Sequence, residues 1–507
     1  MTKNVLIVGA GPTGLVLALW LTKLGIPLRI IDKNQDAEQN SRAMIIHART
    51  LEFYQQIGIA HEIVANGIII EKINLWKNRQ RLTSIYLGAF GKNLSPFPFL
   101  LSLPQDDHEK LLIHYLKQAG IEVERNTELV SLSQNDEKVT AFLKKENETE
   151  MLECAFLLGC DGASSTVRHA LNIDFSGGTY SQLYYVADVM AEGNIANEDI
   201  HVNLHRNEFA IVFPVRSSGS LRLIGIVPKQ YENKKNIQFD DVKSHAIQNT
   251  GLTISKVNWF STYHSHHRVA EHFKKGRVFL LGDAAHIHSP VGGQGMNTGI
   301  GDAVNLSWKI ASVIKKSAPF TILDTYETER MAFARRLVST TDRAFQAITN
   351  IGLIGNFVRN IFFPIIFPFL TRFDCVKKFL FQTISQIKIN YHHSALSSGK
   401  SGKIQGGDRL PWIRYNKIDN YQFLTHLDWQ IHIYGTASNT FKKSIEHLNI
   451  KLHEFSWGEP VAQAGLKKNS IYLIRPDGYV GYTNSLQKCT TIKNYFGFYQ
   501  EKKQCSG

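Results

Sequence analysis

Two glycine-dense stretches hold the residues whose types and spacing could do chemistry. The first is Gly9–Gly14, reading GAGPTG, followed further on by an acid, Asp32. The second is Gly282–Asp302, reading GDAAHIHSPVGGQGMNTGIGD. Glycines packed this closely let backbone approach another group, and free N–H groups at a helix start stabilise an anion. In the first stretch, Gly9 suits a tight turn, Gly11 the approach of a pyrophosphate, and Gly14 close helix–strand packing; Asp32 can accept hydrogen bonds from ribose hydroxyls. In the second, Asp283 follows the apolar run Val278–Leu281, and Pro290 precedes the glycines. Taken alone, this second stretch fits either a loop at the isoalloxazine ring of a flavin or a Gly-rich surface loop.

These residues need elements to position them. Residues 4–8 (NVLIV) form a short apolar run with the character of a buried parallel strand. The run LVLALWLTKLG then predicts a helix closed by Gly25, and residues 28–32 a second strand ending in Asp32. Strand, glycine turn, helix, strand and acid together form a dinucleotide-binding βαβ unit, which by itself does not separate FAD from NAD. Residues 41–58 read as a loop leading into an amphipathic helix. They bring Arg42 and Arg49 as candidates for phosphate or carboxylate contact, against the alternative of solvated surface arginines. Strands are expected within 68–87 and 94–103, a helix over 106–119 after Gln105, and strands near 121–124, 128–133, 137–144 and 151–158. The last run leads to GCDGASSTVR, with Asp161-Gly162 at the bend and Ser164 or Ser165 capping a following helix. Strands at 183–190, 200–216, 221–229 and 257–264 predict a second, mainly antiparallel sheet, and the chain after Asp302 reads as helical to about 345.

Composition narrows the classes of function. A chain of 507 residues exceeds one core and predicts two or three domains. The net charge is +13, but Lys and Arg are scattered, which excludes a nucleic-acid partner and leaves open a weak attraction to anionic substrates or membrane surfaces. Five cysteines without a CxxC exclude a disulfide framework or zinc site and indicate a reducing compartment. His264, His266 and His267 lack a matching carboxylate or thiolate pattern, so no metal is expected. The N-terminus runs straight into a strand, without the pattern of a secretory signal. Residues 351–370 have the length of a membrane span, but Asn356, Arg359, Asn360 and two prolines interrupt them. Buried helices at a domain junction are expected there, with a membrane-touching or substrate-facing patch as the alternative. Residues 394–408 have linker composition.

The ordered set GAGPTG, CDGASSTVR and GDAAHIHSPVGGQGMNTGIGDAVNLSWK resembles the single-component, FAD-dependent aromatic hydroxylases of the para-hydroxybenzoate hydroxylase type, over roughly residues 1–345. LIRPDGYVGY (Leu473–Tyr482) is similar to the thioredoxin-like domain of the branch containing phenol hydroxylase, polyketide hydroxylases and rifampicin monooxygenase. The resemblance implies an α/β fold: a Rossmann-like FAD-binding domain (1–180 and 265–345) with an inserted antiparallel β-sheet substrate domain (181–264). A helical connection (346–393), a linker (394–408) and a C-terminal thioredoxin-like α/β domain (409–507) follow. Without a CxxC, that last domain is expected to be structural or oligomer-forming.

For the site, the resemblance implies Gly9, Gly11 and Gly14 at the pyrophosphate, Asp32 at the ribose, Arg42 on the phosphate or adenine side, and Gln105 at the ribityl chain or ring edge. Thr13, Lys33 and Leu129 join them as cofactor neighbours. Asp161 and Gly162 would serve the pyrophosphate and the transient nicotinamide, with Arg168 assisting. Asp283 would take the ribityl or pyrophosphate region, and Pro290 would sit by the ring. The N–H groups of Gly295, Met296 and Asn297 would stabilise negative charge at flavin N1/O2. Substrate would meet Phe213, Pro214, Val291, Gly292 and Gly293.

The activity so implied uses NADPH or NADH and O2 to hydroxylate a phenolic or polyketide-like aromatic compound through a flavin C4a-hydroperoxide. No second GxGxxG of the Rossmann kind stands elsewhere, consistent with transient nicotinamide binding. No general base can be chosen among His47, His205, His286 and His288. A halogenase would carry a WxWxIP-type segment, which is absent. Baeyer–Villiger or epoxidising oxygen insertion, and a non-catalytic flavoprotein binding aromatic compounds, stay open. A cytoplasmic monomer or homodimer without a transmembrane span is expected.

Overall fold

The computed structural model describes residues 4–37, 43–77, 79–146, 148–205, 208–216, 219–232, 234–288, 293–349 and 357–501. At its centre is a six-stranded sheet. Its order is Lys274–Lys275, Val278–Leu280, Phe156–Gly159, Val5–Val8, Leu28–Ile31 and Val123–Glu124. The middle strands pair in parallel, Val5 opposite both Phe156 and Leu28. Val5–Val8, Phe156–Gly159 and Val278–Leu280 are buried along their whole length, which accounts for their unbroken apolar runs. Three strands far apart in sequence therefore end side by side, and each runs into a turn with chemistry in it: Gly9, Asp161 and Gly282. Ligands bind outside the carboxyl ends of strands in open α/β sheets, and these turns stand there.

The second sheet has eight strands, ordered His286–Ile287, Thr253–Ala270, Phe175–Glu192, Ser220–Ile226, Glu208–Arg216, Ile200–His205, Lys72–Lys77 and Gln80–Tyr86. Two of its strands are 18 residues long, well beyond the 183–190 and 257–264 expected from local pattern, because each pairs with the other from Phe175–Ala270 to Glu192–Thr253. The hairpin at 72–86 joins through a parallel pairing of Ile73 with Ile200, so the sheet is assembled from two separated stretches. Residues 151–158 are not one strand. Glu148–Cys154 stays in an antiparallel meander, and after Ala155 the chain enters the parallel sheet.

Two expectations are corrected by packing. The helix expected after Asp302 begins earlier, at Gln294, and runs to Ile314 with Gly295, Gly299 and Gly301 inside it. A side chain at Gly299 would start 2.3 Å from the Thr13 hydroxyl, so its absence lets this helix lie against Pro12–Lys23. The apolar 351–370 segment is not buried where it is described. Val358–Ile366 is wound as a π-helix continuing into Phe367–Leu370, and Ile361, Ile365 and Phe369 are exposed. Buried helices at a domain junction are thus overturned for these residues, because their outer face meets no other element among the described residues.

Residues 394–408 do not behave as a free connector. Leu396 is buried, Ser398 bridges to Tyr482 by donating its N–H to the Gly481 carbonyl and accepting from the Thr483 N–H, and a side chain at Gly399 would lie 2.0 Å from the Thr483 carbonyl. The glycines there allow backbones to meet. Beyond them, Lys451–Phe455, Gln430–Tyr434, Ile471–Ile474 and Val480–Asn484 make a four-stranded sheet, the first pair parallel and the others antiparallel. The helix Asn439–Ile445 packs beside it, giving the mixed order of a thioredoxin-like unit.

Candidate active site

The phosphate-facing turn follows from sterics. A side chain at Gly9 would start 2.3 Å from the Cys160 carbonyl, and one at Gly14 2.0 Å from the Gly9 carbonyl. Gly11 has no protein atom within 4 Å of the same position, so its open side can admit a ligand group. Gly11 caps the Pro12–Lys23 helix without a side-chain bond, leaving first-turn N–H groups available. Asp32 stands where the second strand ends. Its carboxylate accepts from the backbone N–H groups of Ala10 (2.7 Å) and Asn34 (2.8 Å), which fixes its rotamer beside the glycine turn. Lys33 is exposed, whereas Leu129 is buried in the core. Arg42 lies outside the described residues. Arg49 contacts a carboxylate, but an internal one. Its guanidinium binds Glu52 at 2.8 Å and the Asp477 carbonyl at 2.9 Å.

The second strand end carries Asp161 and Gly162. Asp161 accepts from the Ser165 hydroxyl (2.6 Å) and the Val167 N–H (3.0 Å), and Ser165 caps the short helix by accepting from Arg168 N–H. Burial raises the Asp161 carboxyl above its ordinary range. Arg168 donates to the carbonyls of Ala284 and Ala163 and is buried, so it braces this turn against the third one.

At the third strand end, Asp283 is solvent-exposed although dense protein surrounds it, which places its carboxyl on the wall of a cleft. That surrounding protein raises its pKa, an effect that His286 opposes. Gly282 donates its N–H to Asp302 (3.0 Å), and His286 shares a 2.7 Å hydrogen bond with the same carboxylate. Asp302 also accepts from Arg330 (2.6 Å), whose other nitrogens reach the Tyr391 hydroxyl and the Thr298 carbonyl. Burial opposes the charge on Asp302, but Arg330 and His286 outweigh it and hold the carboxyl below its usual range. Sequence reading missed this group. The signal available was a pair of charges, Asp302 and Lys309, inside a helix that is otherwise uncharged.

Pro290, Val291 and Gly292 lie outside the described residues. Gly293 adopts a left-handed conformation at the start of the Gln294–Ile314 helix, where no side chain caps the helix and no acid sits in its first turn. Its first N–H groups, including those of Gly295 and Met296, therefore have no intrahelical acceptors, whereas the Asn297 N–H stands four residues after the Gly293 carbonyl, the first acceptor of the helix. Asn297 is buried, and its amide closes the turn. Its oxygen accepts from His47 N–H and the Thr50 hydroxyl, and its nitrogen donates to the carbonyls of Ile45 and Gly293. His47 lies 3.1 Å from the Gly293 carbonyl, and His288 flanks Gly295. His286 is committed to Asp302; the side chain of His205 lies outside the described set.

Thr13 lies against both Gly282 and Gly299, tying the first turn to the third. Gln105 starts its helix beside Ala43 and donates its amide to Glu109 at 2.7 Å. Phe213 is half-buried in an apolar cluster with Ile45 and Ile384, and a side chain at Gly293 would touch Ile45. Phe213 and Gly293 thus border one apolar cluster. Pro214 is buried and gives its carbonyl to the Ser102 hydroxyl. Every feature tested fits FAD: a glycine cradle that side chains would fill, an open face at Gly11, a ribose-side acid, and an uncapped helix start.

Comparison with known proteins agrees. Residues 2–341 match the family described as FAD binding domain. The chain is 28% identical to 6-methylpretetramide 4-monooxygenase of Streptomyces rimosus, covering 96% of this chain and 92% of that one. It is 34% identical to pentachlorophenol 4-monooxygenase of Sphingobium chlorophenolicum, covering 69% and 65%. The fold matches that of the flavin-dependent monooxygenase PieE, solved with FAD and substrate, at a TM-score of 0.81 with 19% identity over 99% of both chains. With the family match spanning more than half its length and the glycine cradle in place, the chain belongs to the FAD-binding-domain family of flavoproteins.

Proposed function

We propose that the protein is an FAD-dependent monooxygenase that uses NAD(P)H and O2 to hydroxylate an aromatic substrate of phenolic or polyketide type. The observation that carries this reading is a convergence. The turns at Gly9, Asp161 and Gly282 meet beside the uncapped start of the Gln294–Ile314 helix, and that start lies against Ile45 of the apolar cluster of Phe213. When bound, FAD supplies the hydride acceptance and O2 activation that no side chain can supply.

The chain's own residues bind, orient and exclude water. Backbone N–H groups around Gly11 and Thr13 hold the pyrophosphate, helped by Gly9, Gly14 and the Asp161–Gly162 turn. Asp32 takes the ribose, with Arg42 and Lys33 on the nucleotide's outer side and Leu129 beneath it. Asp283 and Gln105 fix the ribityl chain. The N–H groups of Gly295, Met296 and Asn297, with the dipole of a 21-residue helix, stabilise negative charge at the ring's N1/O2. Pro290, Val291, Gly292 and Gly293 form the wall between ring and substrate, and Phe213 and Pro214 the far side. The half-buried Ile68, Ile211 and Ile384 beside Phe213 favour an apolar ring system. The chain divides into units of 1–180 with 265–345, 181–264 and 409–507; the second sheet, whose long strands run from Phe175 to Glu192 and from Thr253 to Ala270 and which takes in the 72–86 hairpin, supports an inserted unit with wider limits. The reducing-compartment cysteine pattern supports a cytoplasmic enzyme, acting as a monomer or homodimer.

The test is a panel of phenols, quinones and polycyclic aromatics, with NADPH and NADH supplied in turn. A flavin-coloured protein whose nucleotide oxidation rises with ligand, and whose product takes its new oxygen from labelled O2, is expected. Bound flavin without ligand-stimulated oxidation across the panel would sink the proposal.

A further inference from the structure

Apart from Ile384, the segment Phe357–Ile384 has no place in the chemistry above, yet it presents a row of exposed apolar side chains. Phe357, Ile361, Ile365, Phe369 and Phe373 recur every four residues, and all are exposed, Ile365 by 65% and Phe369 by 56%. A spacing of four keeps side chains along one side of a helix. Phe379 continues the surface on the next helix, Asp374–Ile384. The inner side is different. The rings of Phe362, Phe363 and Phe367 pack on one another, and Phe381 is buried against Gly91, where a side chain would start 2.6 Å from its ring. The outer apolar row is therefore held outward by a packed inner one.

Charge says what this face suits. By sequence, residues 357–388 hold five basic side chains and one acid, Asp374. Arg372 and Lys378 are exposed, and the Lys388 ammonium lies 3.9 Å from the centre of the Phe379 ring. We infer that this face docks on an anionic lipid bilayer, lying in the interface with its Phe and Ile side chains among the acyl chains and its cations at the headgroups. No helix among the described residues is long and apolar enough to cross a membrane, consistent with docking on the surface. A second copy of the chain suits the face less well. A two-fold interface would set this cationic rim against itself, and like charges across an interface oppose association.

The face is coupled to the flavin loop. Gln294, the first residue of the long helix, donates to the Ile384 carbonyl (3.0 Å), and Gln386 donates to the Gln294 side chain (2.5 Å) and the Thr298 hydroxyl (3.0 Å). Ile384 also belongs to the apolar cluster of Phe213. The outward apolar row is thereby joined to the cluster assigned to the substrate side. That assignment rests on the proposed hydroxylase activity; the docking does not.

Flotation with phosphatidylcholine vesicles, with or without a minority of phosphatidylglycerol, tests the inference. Wild-type protein should float with the anionic vesicles, and added salt should weaken the association. Arg372→Gln with Lys378→Gln should weaken it on the order of thirty-fold at low salt. Ile365→Glu with Phe369→Glu should weaken it more than about a hundred-fold. Both double variants should keep bound FAD and wild-type basal NADPH oxidation, which controls for folding. Wild-type protein that stays with the buffer, or an I365E/F369E variant that floats unchanged, overturns the inference. A wild-type dimer that ignores vesicles and becomes monomeric in I365E/F369E overturns it in favour of a self-association surface.

Discussion

Replacing Glu329 with Gln should loosen the C-terminal unit from the rest of the protein. Glu329 is fully buried in the Asp324–Thr349 helix and accepts five hydrogen bonds. Arg475 provides two (2.7 and 3.0 Å), and Lys309 (2.8 Å), Asn305 (2.6 Å) and Ser394 (2.6 Å) one each. Arg475 and Asp477 belong to the turn between Ile471–Ile474 and Val480–Asn484, so this carboxylate is where that turn enters the FAD-binding unit. Burial opposes the charge, but Arg475 and Lys309 hold the Glu329 carboxyl far below its ordinary range. A glutamine amide presents one NH2 to a site made wholly of donors. Whichever way it turns, at least two buried donors lose their acceptor, and a buried cation loses its counter-charge. Removing one partner from such a pair costs about 3–5 kcal/mol. Unfolding entropy near 2.1 cal/mol/K per residue converts about 4 kcal/mol into a Tm drop of about 4 °C if the whole chain melts together. If the C-terminal unit of roughly 100 residues melts alone, the drop in its own transition is about 16 °C or more. Calorimetry, read beside the release of a C-terminal fragment under limited proteolysis, distinguishes the two. A Tm within about 1 °C of wild type with unchanged proteolysis would refute the reasoning, because it would mean the buried cations do not depend on Glu329.

Four further outcomes are expected. Gly11→Ala should leave the Tm of FAD-free protein within about 1 °C, since no protein atom lies near the added methyl, yet lower FAD affinity at least about ten-fold because that space is reserved for phosphate; titration of FAD fluorescence measures it, and undiminished affinity would reject the assignment of Gly11. Gly14→Ala should lower both quantities, as its methyl would meet the Gly9 carbonyl at 2.0 Å. Gly299→Ala should destabilise by about 1–3 kcal/mol through overpacking against Thr13; adding Thr13→Ala should recover part of it in FAD-free denaturant melts, and strict additivity would show that the two side chains do not meet. Burial pushes the Lys309 ammonium down to about 8. Its folded pKa lies below its unfolded value of 10.5, so between these the unfolded chain binds more protons and the contribution to stability rises with pH. Lys309→Met should remove that rise between pH 8 and 10.5, as read from urea midpoints across the range.

Much of the flavin site could be read from sequence because its requirements are local. Gly9, Gly11, Gly14 and Asp32 sit within a single βαβ unit, and the jobs of a tight turn, a close approach and a terminal acid depend on neighbours in the chain. The loop Gly282–Asp302 was legible for the same reason, as was the Arg475–Gly478 turn between two strands. Local pattern did not single out Asp302 and Lys309, the two charges of the Gln294–Ile314 helix, or their partners.

Partners are what the tertiary structure decided. Arg330 reaches Asp302 from 28 residues away in sequence and is itself met by Tyr391 from 61 residues away, and Arg475 reaches Glu329 from 146 residues away. No periodicity carries such pairings, since they depend on which helices pack. The same holds for Arg49, which reads as a candidate ligand contact and turns out to hold Glu52 and the Asp477 carbonyl. The 394–408 stretch shows the limit most plainly. Its composition is that of a free chain, and only its neighbours show that its glycines serve backbone contact. The 357–384 segment shows the reverse: hydropathy predicts burial, but burial needs a partner surface, and the fold provides one only for its inner row. Sequence alone thus determined the cofactor and the class of chemistry, because those reside in short motifs. The tertiary structure decided what steadies the motifs and which apolar face is left outward, because both depend on contacts between elements distant along the chain.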